Sequence, residues 1–226
     1  MSLFRKKADD ADQPEAAEAP SAGAPVPEAS AERDAGLRDR ATLGPFDESE
    51  PGAADERPRL DFGSVRVPAV DGMEVRVETA EDGQLIGLGM VVAGSVLQVQ
   101  AFAAPKSGTI WDDVREEIAR GLTESGGHVE HAMGPFGPEL HARVTIARPD
   151  GSPVEEAARF LGVDGPRWFL RGVISGAAAV DPAEAGVMED MFAGVVVVRG
   201  TDAVPPREGL PLTLPEGGEQ QTPPAT

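Results

Sequence analysis

Residues 159–176 read RFLGVDGPRWFLRGVISG, and this stretch decides how the rest of the chain must fold. Two alternating runs flank a V-D-G-P turn, the pattern of a β-hairpin whose side chains point to opposite faces in turn. On the second run Trp168, Leu170 and Ile174 share one face, with Gly172 between them, while Arg167, Phe169 and Arg171 share the other. One face is therefore core and the other partly polar. A sheet of this kind needs a second layer to cover its apolar face.

Upstream of the hairpin, the spacing predicts an amphipathic helix that begins after Ser107 or Thr109, either of which can cap it. Asp112 and Asp113 fall in its first turn, facing the positive end of the dipole. Ile110, Val114, Ile118 and Leu122 recur at steps of four with Trp111 beside them, and Gly126-Gly127 ends the helix. Downstream, Asp181 caps a shorter helix with Pro182 at its first position and Glu184 completing a capping-box-like pattern. Its predicted apolar face is Val187, Met188, Met191 and Phe192. Val195 to Val198 then reads as a buried strand.

Further strands are expected from Leu60 to Val70, Met73 to Glu78, Leu85 to Val92 and Val96 to Ala103, the last two joined at Gly94-Ser95. His128 to Met133 and Glu139 to Ala147 form another pair around Gly134 to Pro138. Strands and helices alternate too little for a doubly wound parallel sheet. The expected fold is α+β, an antiparallel sheet packed with two main helices. Residues 1–58 are expected to form a disordered acidic arm rich in Ala, Pro and Glu, 59–204 a single domain, and 205–226 a Pro/Gly-rich tail in which Leu210, Leu212 and Leu214 alternate, a pattern that would let them lie against the domain.

Composition narrows the function classes. The formal net charge is -19, from 20 Lys and Arg against 39 Asp and Glu, which argues against a broad electrostatic grip on nucleic acid or an anionic membrane. There is no cysteine, so disulfides, thiolate catalysis and zinc-thiolate sites are excluded and a reducing compartment fits. No signal-peptide pattern and no stretch of about 18 apolar residues is read, so a cytoplasmic location is expected.

The segments GPFD (44–47), RVPAVDGMEVR (66–76), LQVQAFAAPKSGTIWDDVR (97–115) and RFLGVDGPRWFLRGVISGAAAVDP (159–182) resemble an uncharacterised actinobacterial family, a domain of unknown function, over roughly residues 43–215. The resemblance implies no reaction, ligand or functional residue. At the level of topology the order of elements is similar to the α/β/α sandwich of PsbP-like accessory proteins; such folds mostly serve as binding or accessory modules, and fold alone does not fix function.

Candidate chemistry is sparse. Arg167 and Arg171, with Arg159 on the preceding strand, form a candidate partner- or anion-binding patch, because guanidinium forks match phosphate and carboxylate. The competing reading pairs them with neighbouring acids. A hairpin centred on Phe136 would set His131 opposite His141 with Glu139 on the same face, the ligand types of an open metal site, although solvated histidines are the commoner outcome. No G-x-S-x-G, no phosphate loop and no dinucleotide fingerprint is present, and no cofactor is expected. The leading reading is a non-enzymatic cytoplasmic binding or accessory module for a protein partner whose identity, like the oligomeric state, the sequence leaves open. The alternative is an enzyme or sensor that binds a small anionic, phosphorylated ligand through the arginines.

Overall fold

The computed structural model describes residues 39–215 apart from 82 and 148–150. In chain order the elements are α1 (Arg40–Leu43), β1 (Phe46–Asp47), a 3-10 turn (Pro51–Ala54), β2 (Arg59–Asp61), β3 (Val65–Pro68), β4 (Glu74–Thr79), β5 (Leu85–Val92) and β6 (Ser95–Ala103). They continue with α2 (Trp111–Glu124), β7 (His128–Gly134), β8 (Gly137–Ala147), β9 (Pro153–Gly165), β10 (Trp168–Ser175), a second 3-10 turn (Ala177–Ala179), α3 (Pro182–Ala193) and β11 (Val196–Val197). The fold is α+β, as expected. A seven-stranded antiparallel sheet runs β4-β5-β6-β10-β9-β8-β7, and a smaller sheet runs β1-β11-β3-β2 with only the β1–β11 pair parallel.

Tight turns set the registers. Val92 pairs with Ser95 across Ala93-Gly94, both with positive φ, as a two-residue hairpin loop requires. The central hairpin turns one step later than its V-D-G-P signal suggests: Gly165 pairs with Trp168, so Pro166 and Arg167 form the loop. Proline followed by a residue at positive φ, here 63° at Arg167, is the pattern of a type II turn. Gly165, still in the strand, makes room for the Trp168 ring, which would lie 2.1 Å from a Cβ there. Arg167 therefore leaves the face on which it was expected. Phe169 and Arg171 keep it.

Each face of the large sheet carries its own layer. On one face α2 packs over β7, β8 and β9. Trp111 stacks on Phe169 at 5.6 Å, Phe169 on Phe102 at 5.8 Å, and the Trp111 indole donates to the Pro138 carbonyl at 2.6 Å. On the other face Trp168, Leu170 and Ile174 meet α3 and the small sheet in one core that includes Met188, Met191, Phe192, Val65, Val67 and Val197. Burying side chains of this size contributes about 1.5–3 kcal/mol each. Glycines allow both approaches, since a Cβ at Gly162 would meet the Trp111 ring at 2.1 Å and one at Gly172 the Phe192 ring at 2.7 Å.

Several expectations change. Leu60 to Val70 is two short strands, with Leu60 opposite Val67, because Gly63 (φ 79°) permits the reversal. Neither Ser107 nor Thr109 caps α2; Asp164, from the central hairpin, accepts from the Ile110 and Trp111 amides at 2.9 and 3.2 Å. Val187 is half exposed, while Ala185 takes its place on the buried face of α3. Residues 39–58, assigned to the loose arm, hold α1 and β1, and Phe46 is fully buried. Within the tail, Arg207 and Leu210 donate backbone hydrogen bonds to Ala103 and Ala101 at the outer end of β6. The earlier part of the arm and the last residues of the tail lie outside the described residues.

The pairing of histidines fails on register. Gly134 pairs with Gly137 across Pro135-Phe136, so His131 faces Leu140 and His141 faces Glu130. A one-residue offset puts the two imidazoles on opposite faces. Among the described residues no group of three ligating side chains could hold a metal ion. No helix among them is long and apolar enough to cross a membrane.

Candidate functional site

The layers do not cover the sheet evenly, and a site arises where coverage stops. On the α3 side, the floor of β7, β8 and β9 extends beyond the second 3-10 turn and α3, leaving a cleft of about 490 Å³. Strand alternation delivers Glu130 from β7, Glu139, His141 and Arg143 from β8, and Arg159 from β9 to that floor. Asp181 and Glu189 come down from α3 and its cap.

At the back of the cleft lies a charged cluster. Arg159 donates through Nε to Glu139 Oε1 and through Nη2 to Glu139 Oε2, both at 3.1 Å, and through Nη2 to Glu189 Oε1 at 2.8 Å. His141 Nε2 sits 2.5 Å from the same Glu139 Oε1. The side chains of Arg159 and Glu139 are 9% and 4% exposed, that of His141 43%. Burial alone would lower the Arg159 pKa; hydrogen bonds and charge from Glu139, then Glu189, outweigh it and raise it. Arg159 is thus a satisfied cation. Gly134 makes room for the carboxylate, since a Cβ there would lie 2.0 Å from Glu139 Oε2.

The three predicted arginines are not brought together. Arg159 points into the α3 side, opposite Ile174 in register. Arg167 lies in the β9–β10 turn, where its carbonyl accepts from Arg199 Nε at 3.0 Å. Arg171 points to the α2 side, donating to Gln100 Oε1 at 2.7 Å with its guanidinium 5.5 Å from the Phe102 ring centre. The pairing with acids holds for Arg159; Arg171 has no ion pair among the described residues.

The cleft side chains that sequence reasoning missed are the acids. Glu189 carries no local signal beyond its place on α3, and Glu139 stands out in the sequence only as a metal-ligand type beside two histidines. The cleft has four carboxylates (Glu130, Glu139, Asp181, Glu189) against two arginines (Arg143, Arg159), and Met133 and Val180 on its lining are 55% and 59% exposed. Among the described residues that line it there is no Ser, Thr, Cys or Lys. The arrangement can offer negative charge, apolar contact and an oriented imidazole, but not a hydroxyl or thiol nucleophile.

No curated protein matches the chain. Among solved structures it is similar to the solution structure of cyanobacterial PsbP (CyanoP) from Synechocystis sp. PCC 6803, at 12% identity and a TM-score of 0.38, over 66% of this chain and 97% of that one. A family model matches residues 44–221, most of the described chain, and on that match the protein belongs to the family described as protein of unknown function DUF3710.

Proposed function

We propose that the chain is a non-enzymatic binding module that receives a basic, partly apolar segment of a protein partner in the cleft between β7–β9 and α3. The observation that carries this reading is the excess of carboxylates over cations there, with Arg159 already neutralised by Glu139 and Glu189. A satisfied guanidinium offers nothing to a phosphate, whereas Glu130 on the cleft floor and Asp181 at the cap of α3 attract Lys and Arg side chains. Val180, exposed on the cleft lining, suits an apolar side chain. A cytoplasmic location goes with this reading, since a chain without cysteine is at home in a reducing compartment.

The test is calorimetric titration of the full chain with a synthetic peptide of alternating Lys and Leu, against the same peptide with Glu in place of Lys. Binding of the basic peptide alone, weakened by added salt and by Glu130→Lys, supports the module. Equal binding of both peptides, or none of either, overturns it.

A further inference from the structure

We propose that a second cleft, on the opposite face of the sheet between α2 and β10, binds a small organic carboxylate with a planar apolar body, held by Arg171. The cleft is about 170 Å³ and is walled by Phe102, Ile110, Val114 and Phe169, with Arg171 and Arg207 as its cations and Glu117 as its carboxylate. In a chain of net charge -19, this lining is locally positive.

Arg171 is the reason to expect an anion. Gln100 takes one of its five N–H groups and its guanidinium carbon lies over the Phe102 ring, yet no carboxylate forms an ion pair with it among the described residues. Glu78, whose charge acts on it from β4, is engaged by Gln98 Nε2 at 2.6 Å. Burial consequently lowers the Arg171 pKa, the reverse of what happens at Arg159. A half-buried guanidinium without a counter-ion is costly to the fold alone, and a carboxylate in the fork geometry would complete it.

The second cation is adjustable. Arg207 reaches the cleft from the segment that pairs with β6, and its ion pairs, to Glu117 at 2.7 Å and Asp113 at 3.4 Å, are solvated. Exposed pairs of this sort exchange partners readily. The stacked row Phe102–Phe169–Trp111 ends at the cleft and offers an aromatic wall to a flat ligand. The volume admits a body of benzoate size and is too small for a nucleotide. This site shares no residue with the acidic cleft and stands or falls without it.

The experiment uses the full chain, with benzoate as probe, benzamide as its uncharged counterpart and inorganic phosphate as the anion without an apolar body, read by calorimetry and thermal shift. Benzoate is expected to bind and to raise Tm, and benzamide and phosphate are not. Arg171→Gln should weaken benzoate by about tenfold or more. Val114→Phe, which fills the cleft and leaves both arginines in place, should abolish binding. Failure of benzoate to bind at about 10 mM, far above the range of useful small-ligand affinities, overturns the proposal. So does equal binding of benzamide, stabilisation by phosphate alone, or unchanged benzoate affinity in both variants.

Discussion

Arg159 and Arg171 stand on neighbouring strands of one sheet and point to opposite faces, and the two faces treat a buried guanidinium differently. On the α3 side two glutamates converge on Arg159 and leave a cleft that is acidic overall. On the α2 side a neutral amide and an aromatic ring accompany Arg171, and the small cleft beside it is positive. The first arrangement is complete without a ligand; the second is not. A buried cation therefore points to a binding site only where its counter-charge is missing from the fold.

Breaking the complete cluster should cost most. Arg159→Ala strands two carboxylates and is expected to lose about 3–5 kcal/mol in chemical denaturation. Arg159→Met combined with Glu139→Leu should recover part of that loss, because an apolar pair of similar volume removes the desolvation of both ions and leaves only Glu189, at 17% exposure, without its cation. If the double variant is no more stable than Arg159→Ala, the burial of Arg159 and Glu139 is not what makes the cluster costly to break.

Next come the carboxylates that tie each face to its layer. Asp47 accepts from the Trp168 indole at 2.7 Å and from the Ser49 amide at 3.0 Å, and Asp47→Asn should lose about 1.5–3 kcal/mol near neutral pH. Burial pushes Asp47 up, but Ser49, Trp168 and Arg40 together hold it below the usual carboxylate value. Its contribution is thus present above about pH 3.9, the ordinary Asp pKa, and is lost as pH falls through its lower folded value. Asp164 has the opposite sign. Burial raises its pKa over the lowering effect of the Ile110 and Trp111 amides, so its contribution is full below the unfolded pKa and is lost as pH rises through the folded one. Melting curves across the acid range should show the wild-type advantage over Asp47→Asn growing with pH and that over Asp164→Asn shrinking. Parallel profiles would remove the contrast.

The glycines beneath the two tryptophans test whether both faces are packed equally tightly. Gly162→Ala drives a Cβ into the Trp111 ring and Gly165→Ala into the Trp168 ring, and each should cost about 1–3 kcal/mol with a change in near-ultraviolet circular dichroism. The smallest effect is expected at Arg171. Because its charge lacks a counter-ion, Arg171→Gln should change stability by less than about 0.5 kcal/mol, or raise it, by thermal denaturation. A loss as large as that of Arg159→Ala would make Arg171 a structural residue.

What could be read in advance was local. The stripe of α2, the Asp181 cap with Pro182 after it, and the alternation of Trp168, Leu170 and Ile174 all depend on neighbours a few residues apart. The cap of α2 could not be read, because Asp164 lies 54 residues beyond Ile110 and displaces nearer serine and threonine by tertiary approach. Likewise the histidine pair depended on one turn. Moving its centre by half a residue, to Pro135-Phe136, sent His131 to Arg115 on α2 and left His141 beside Glu139 on the other face.

The sequence by itself determined the α+β class, the antiparallel hairpins, the two longer helices and the acidic character, since periodicity, turn residues and composition act over short range. Only the tertiary structure decided which face each charged side chain occupies and which partner it finds. Those outcomes follow from strand register and from the partial coverage of each sheet face, and both are settled between residues far apart in the chain.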